Sequence, residues 1–182
     1  MRIFISGGVK NGKSFYAQRL AKAQQTNGLY YIATMRPADS EDDERIVRHL
    51  KDRDGWGFAT VEQHADIERI LEKCDCGGSF LLDSATALLA NEMFRANGSV
   101  NENACEKITS GLSKVLSQIE NIIIVSDYIY SDAIAFDALT EKYRGSLAAI
   151  DRFLAAGCDI VLEIVYSNVI VHKGAEKFAA IF

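Results

Sequence analysis

A chain of 182 residues with 48% hydrophobic residues, 25% charged residues and a single proline has the length and composition of one globular domain, residues 1–182, and excludes a disordered, collagen-like or fibrous chain. Twenty Lys and Arg against 25 Asp and Glu leave a formal charge of −5, so there is no global basic field for nucleic acid or an anionic membrane, and any phosphate must be held locally. The longest apolar runs, 121–126 and 160–166, fall far short of the roughly 18 residues of a membrane span, and residues 1–6 meet glycine too early for a signal peptide, which points to a cytoplasmic protein.

In chain order, short β-branched apolar runs alternate with stretches of helical spacing, the pattern of an α/β fold with a mostly parallel sheet. The first run, Arg2–Ser6, leads into Gly7-Gly8-Val9-Lys10-Asn11-Gly12-Lys13-Ser14, and a helix is predicted from Lys13 to Gln25. The octet matches the P-loop pattern G-x₄-G-K-[ST] at every fixed position and in the required strand-to-helix setting. Its glycines let successive backbone N–H groups face phosphate oxygens, and the helix that follows adds its positive end. Lys13 then reaches the β/γ-phosphates of a nucleoside triphosphate, and the Ser14 hydroxyl ligates Mg²⁺.

A strand over Leu29–Thr34 precedes a helix over Glu41–Arg53, whose acidic start from Ser40 to Glu44 suits the helix dipole. Within it, His49 lies among Arg45, Arg48, Lys51 and Arg53, cations that favour a neutral, nucleophilic imidazole; a surface helix histidine has the same local sequence. Strands follow over Ala59–Glu62 and Ser79–Asp83, with a helix over Ala65–Lys73 between them. Asp83 closes an apolar strand, where a P-loop protein keeps the acid of its magnesium shell, yet an Asp here also suits the cap of a helix over Ser84–Arg95. Beyond it come a helix over Glu102–Ile119 with an apolar stripe, a strand over Ile122–Ser126 and a helix over Ala135–Ala156. Two last strands, Asp159–Val165 and Val169–His172, are joined at Ser167-Asn168 as a hairpin. Cys74, Cys76, Cys105 and Cys158 lack paired C-x₂-C hooks, so thiols are expected rather than a zinc site, and neither His64 nor His172 has a setting that suggests chemistry.

With these residues in view, the chain resembles a known family, the bifunctional adenosylcobinamide kinase/adenosylcobinamide-phosphate guanylyltransferases of cobalamin biosynthesis. The resemblance rests on Ile3-Phe4-Ile5-Ser6-Gly7-Gly8 with its P-loop, Tyr30-Tyr31-Ile32-Ala33-Thr34, Arg45-Ile46-Val47-Arg48-His49 with Arg53, Phe58-Ala59-Thr60-Val61-Glu62, and Leu81-Leu82-Asp83-Ser84-Ala85-Thr86 followed by Asn91. It implies a three-layer RecA-like fold, a trimer and a two-step enzyme. A nucleoside triphosphate first phosphorylates adenosylcobinamide; GTP then guanylylates a histidine, which passes GMP to the new phosphate. By this resemblance His49 is the guanylylated residue, acting with Lys13 and Asp83. The loop Gly7, Gly8, Val9, Lys10, Asn11, Gly12, Lys13 and Ser14, together with Thr34, Met35, Arg36, Leu50, Lys51, Asp52, Arg53, Glu62 and Asp83, falls on nucleotide-contacting positions. ATP and GTP are the implied substrates, a corrinoid the implied acceptor, and Mg²⁺ on Ser14 and Asp83 the implied cofactor.

The second half departs from the family pattern. After Ile122–Ser126 the family usually carries Asn-Glu-Val-Gly, where this chain has Asp127-Tyr128-Ile129-Tyr130, and its Arg-x-Phe-Arg-Asp stretch is here Glu141-Lys142-Tyr143-Arg144-Gly145. Two other readings stand beside the first: a P-loop kinase of a different small-molecule acceptor, and a nucleotide-binding regulatory protein without turnover.

Overall fold

Seven strands, β1 (Arg2–Gly7), β2 (Leu29–Ala33), β3 (Ala59–Glu62), β4 (Ser79–Asp83), β5 (Asn121–Asp127), β6 (Ile160–Val165) and β7 (Asn168–Lys173), join in one sheet in the order β3-β2-β4-β5-β1-β6-β7. This is a computed structural model, which describes residues 1–37, 47, 51, 53–95 and 97–180. All pairings are parallel except β6 with β7, which form an antiparallel hairpin. The helices are α1 (Lys13–Ala23), a 3₁₀ turn (Ile67–Arg69) continuing into α2 (Ile70–Lys73), α3 (Ala85–Met93), α4 (Ala104–Gln118), α5 (Ala138–Gly157) and α6 (Ala175–Ala179). None of these is long and apolar enough to cross a membrane.

Side chains alternate across a strand, so a strand buried on both faces reads as a nearly continuous apolar run. Ile3, Ile5, Leu81, Ile123 and Val125 turn to one face and pack on Ala17, Leu20 and Ala21 of α1. Phe4, Phe80, Leu82, Ile122 and Ile124 turn to the other, where Leu88 of α3, Leu112 of α4 and Ile150 of α5 close a second core. The result is the expected three layers. Because β4, β5 and β1 are parallel neighbours, their C-terminal ends meet at one edge, the edge at which open α/β sheets bind ligands.

Local differences from the sequence expectation have physical causes. The hairpin turn is Tyr166-Ser167 and not Ser167-Asn168: Val165 pairs with Asn168, and both corner residues have positive φ, 49° and 63°, as a two-residue primed turn requires. The segment expected as a helix over Ala65–Lys73 begins instead with Asp66 at φ 49° and a 3₁₀ turn, so that Ile67 and Ile70 both reach the core. The short α6 lies beyond the last expected element and starts after Gly174 at φ 77°. The helix expected over 41–53 lies almost wholly outside the described residues. Lys173, at the end of β7, donates to the carbonyls of Ala155, Ala156 and Cys158 and so ties the hairpin to the C-terminus of α5.

Candidate active site

The P-loop runs from the end of β1 to the start of α1. At Gly7 a Cβ would stand 2.5 Å from the Ile164 carbonyl oxygen of β6, so only glycine lets the two strands close here. Gly12 is the N-cap of α1 at φ 84°, and it offers no side chain to the first-turn N–H groups. Lys10 also has positive φ, 61°, in a turn of the kind that collects backbone N–H groups around an anion.

Lys13 is 5% exposed and has two described acceptors, the Gly8 carbonyl oxygen and Asp127 Oδ1, each 2.6 Å from Nζ. Asp127 ends β5 in register with Gly7, and its own N–H is held by Thr86 Oγ1 at 2.8 Å. Asp127 is the functional candidate that sequence reading missed. Its only signal there was the departure from the family pattern.

Asp83 ends β4 on the α1 face of the sheet, in register with Val125, and its Oδ2 accepts a hydrogen bond from the Tyr31 hydroxyl at 2.8 Å. It does not cap α3: Ser84 does, accepting the Ala87 N–H at 3.2 Å. Thr34 is fully buried, and its hydroxyl is occupied twice, donating to the Ser84 carbonyl at 2.8 Å and accepting the Ser84 N–H at 2.6 Å. Its own carbonyl takes Asn91 Nδ2 at 2.7 Å and lies 3.1 Å from His64 Nδ1. Thr34 thus ties the ends of β2 and β4 together beside Asp83.

A second group of expected residues gathers next to Tyr31. The Arg53 guanidinium stacks 3.6 Å from the Tyr31 ring centroid, and Phe58 meets the same ring edge-on. Arg53 is buried, with Nη2 3.5 Å from Thr60 Oγ1, while its Nε and Nη1 are buried without a hydrogen-bond partner among the described residues. It lines an open cavity of about 390 Å³ together with Asp54, Gly55, Gly57, Phe58 and Thr60. Unpartnered guanidinium N–H groups in such a place have the geometry of an anion receptor. Glu62 is exposed, 3.8 Å from His64 Nε2; Met35 is half-buried, and Arg36 and Lys51 are exposed. His49, Leu50 and Asp52, with Arg45, Arg48 and the acidic run 40–44, lie outside the described residues. The structure therefore brings Lys13, Asp83, Tyr31 and Arg53 to one face and one edge of the sheet.

On the opposite face, Asp151 of α5 is 4% exposed and accepts the Tyr130 hydroxyl at 2.8 Å. Burial pushes its carboxyl up to about 6, with the Asp127 carboxylate adding to the rise and the neighbouring Ser126 and Tyr130 hydroxyls opposing it. Tyr143, which donates to the Thr86 carbonyl at 3.0 Å, is pushed up to about 12 by burial and by the Asp127 and Asp151 charges.

Residues 3–169 match the sequence profile of the cobinamide kinase / cobinamide phosphate guanyltransferase family. The chain is 26% identical over 161 residues to the bifunctional adenosylcobalamin biosynthesis protein CobP of Pseudomonas aeruginosa, covering 88% of this chain and 91% of that one. It is 24% identical over 176 residues to the bifunctional adenosylcobalamin biosynthesis protein CobU of Escherichia coli, covering 91% and 96%. Among solved structures, the flagellar accessory protein FlaH of Methanocaldococcus jannaschii superposes with a TM-score of 0.52 at 12% identity, over 94% of this chain and 77% of that one. An ATPase domain gives 0.53 at 15% identity, over 94% and 76%. These two likenesses carry the fold alone, that of RecA-like P-loop NTPases.

Proposed function

Because the chain belongs to the cobinamide kinase / cobinamide phosphate guanyltransferase family, we propose that it phosphorylates adenosylcobinamide with a nucleoside triphosphate, and then passes GMP from GTP through His49 to adenosylcobinamide phosphate. The observation that carries this reading is the shared face: the P-loop with Lys13, the Asp83 carboxylate and the Arg53 guanidinium, whose Nε and Nη1 have no hydrogen-bond partner among the described residues, lie on one side of the sheet, which gives phosphate groups more than one place to bind. In the kinase step the loop N–H groups and Lys13 hold the β/γ-phosphates. The Ser14 hydroxyl and the Asp83 carboxylate are hard oxygen donors of the kind Mg²⁺ takes, and the ion, when bound, neutralises charge on the phosphates. Tyr31 orients Asp83 through its hydroxyl.

In the guanylyl step an imidazole nitrogen of His49 attacks the α-phosphorus of GTP, and the bond to pyrophosphate breaks with its electron pair leaving on pyrophosphate. The phosphate of the corrinoid then attacks the same phosphorus and frees the histidine. Arg53, lining the cavity beside Phe58, is the buried cation suited to a phosphate of this nucleotide. A trimer in solution belongs to the same reading and is checked by the mass of the assembly.

Intact-mass measurement after incubation with GTP and Mg²⁺ tests the guanylyl step. One added GMP is expected, in a bond cleaved by acid and stable to alkali, as in a phosphoramidate. His49→Ala should abolish both the adduct and guanylyl transfer while sparing phosphorylation. A wild-type protein that binds GTP and forms no adduct would instead be a P-loop kinase of a small-molecule acceptor, and one that turns over no triphosphate would be a regulatory nucleotide binder.

A further inference from the structure

We propose that Asp127 is the proton acceptor of the phosphoryl-transfer step, held on Lys13 until the nucleotide's phosphates take the lysine over; the assignment rests on the kinase half of the reading above. Three observations carry it. First, the carboxylate sits where the reaction happens. Lys13 is the P-loop cation for the β/γ-phosphates, and Asp127 Oδ1 lies 2.6 Å from its Nζ, so the carboxylate borders the place of the transferred phosphoryl group. Second, its backbone is fixed. Asp127 closes β5 opposite Gly7, Thr86 Oγ1 holds its N–H, and the next residue, Tyr128, donates its N–H to the Gly7 carbonyl at 3.3 Å. Release from Lys13 therefore needs only a side-chain rotation.

Third, the neighbouring described carboxylates are otherwise engaged. Asp83 accepts the Tyr31 hydroxyl and is a metal donor in the reading above. Glu163 of β6 pairs with His172 at 2.8 Å. Asp151 is buried behind the sheet, on the face away from α1, and holds Tyr130. Asp127 has 19% of its side chain exposed, enough to meet an acceptor hydroxyl and to return a proton to water.

The pairing with Lys13 also explains how an almost buried ammonium is tolerated: two acceptors stay on it, one of them charged. When phosphate oxygens replace the carboxylate on Lys13, Asp127 is freed beside the γ-phosphate. The acceptor oxygen then forms its bond to the γ-phosphorus as its proton passes to the Asp127 carboxylate. The bond from that phosphorus to the bridging oxygen breaks, and its electron pair leaves on the nucleoside diphosphate. A positioned base of this kind contributes about 10²- to 10⁴-fold to rate.

Asp127→Asn keeps the side-chain shape and an acceptor for Lys13 but removes the base and the competing charge. The expected result is nucleoside triphosphate bound at least as tightly as by the wild-type protein, by calorimetric titration, with single-turnover phosphorylation of adenosylcobinamide at saturating nucleotide slowed by about 100-fold or more. Asp127→Glu, which restores a carboxylate, should recover part of that rate. A saturating rate within about threefold of wild type, loss of nucleotide binding, or a glutamate variant as slow as the asparagine one overturns the proposal. If the wild-type protein itself leaves adenosylcobinamide untouched, the kinase reading has failed and not this one. The same comparison is then made on nucleotide hydrolysis, in which water takes the place of the acceptor, with the same outcomes deciding.

Discussion

Asp83 and Ser84 divide two tasks that a sequence leaves merged. Ser84 caps α3 and Asp83 faces the Tyr31 hydroxyl, so a substitution at Asp83 tests metal binding without unfastening the helix. Asp83→Asn, which still accepts from Tyr31, should raise the Mg²⁺ concentration for half-maximal phosphorylation by about tenfold or more while leaving thermal stability in place; a Mg²⁺ titration of the rate reads this directly. Asp151 makes the second prediction. Its carboxyl is raised by burial to about 6 in the fold, above the ordinary range it has in the unfolded chain. Between about pH 4 and 6 the folded form binds more protons than the unfolded one, so stability is highest at the acid end of that window and falls as pH rises through it. Asp151→Asn, still an acceptor for Tyr130, should flatten this dependence and stabilise the protein above pH 6 by on the order of 2–3 kcal/mol, measured by urea unfolding at several pH values. At this scale the strand end left Asp83 open between metal donor and helix cap, and the P-loop was legible in sequence because its own spacing is the motif. Asp127 was not, because its meaning comes from a lysine 114 positions away that only the folded sheet brings to it.

The elements follow the alternation of apolar runs closely, and they depart from it where a backbone angle decides. β3 and β4 have the bounds that the sequence suggests, and the last helix before the hairpin is fixed by Leu147, Ile150 and Leu154 on one buried stripe. At the hairpin the polar pair Ser167-Asn168 looks like the turn, but the buried register of Ile160, Leu162 and Ile164 requires closure one residue earlier. Tyr166 is thereby forced to φ 49° with its ring in solvent. A β-favouring aromatic is a poor choice at that angle, where Asn and Gly are preferred. Replacing Tyr166-Ser167 by Asn-Gly should therefore stabilise the protein by roughly 1 kcal/mol, visible as a higher urea midpoint with an unchanged slope. The short 3₁₀ turn at Ile67–Arg69 was hidden for the same reason, since its spacing of Ile67 and Ile70 fits either helix type.

For the molecule as a whole, the fold class was readable and the strand order was not. Long apolar runs announce parallel strands covered on both faces, but nothing local in Ser79–Asp83 says that β5 will stand between it and the P-loop strand. That arrangement is what sets Asp83 and Asp127 on neighbouring strand ends, with the P-loop next in line. The antiparallel hairpin extends the sheet on the far side of β1, and one side chain of it reaches across to the helical layer: Lys173 grips three carbonyls at the end of α5. Sheet margins and helix ends ordinarily open independently and at little expense, each on its own timescale. Here a single ammonium couples them, so the backbone amides of β7 and those of the last turn of α5 should exchange with solvent deuterium as one cooperative unit. Lys173→Ala should split that unit, speeding exchange in both segments while β1, β4 and β5 keep their protection, and mass-resolved exchange would then distinguish a peripheral region that breathes together from two that fray apart.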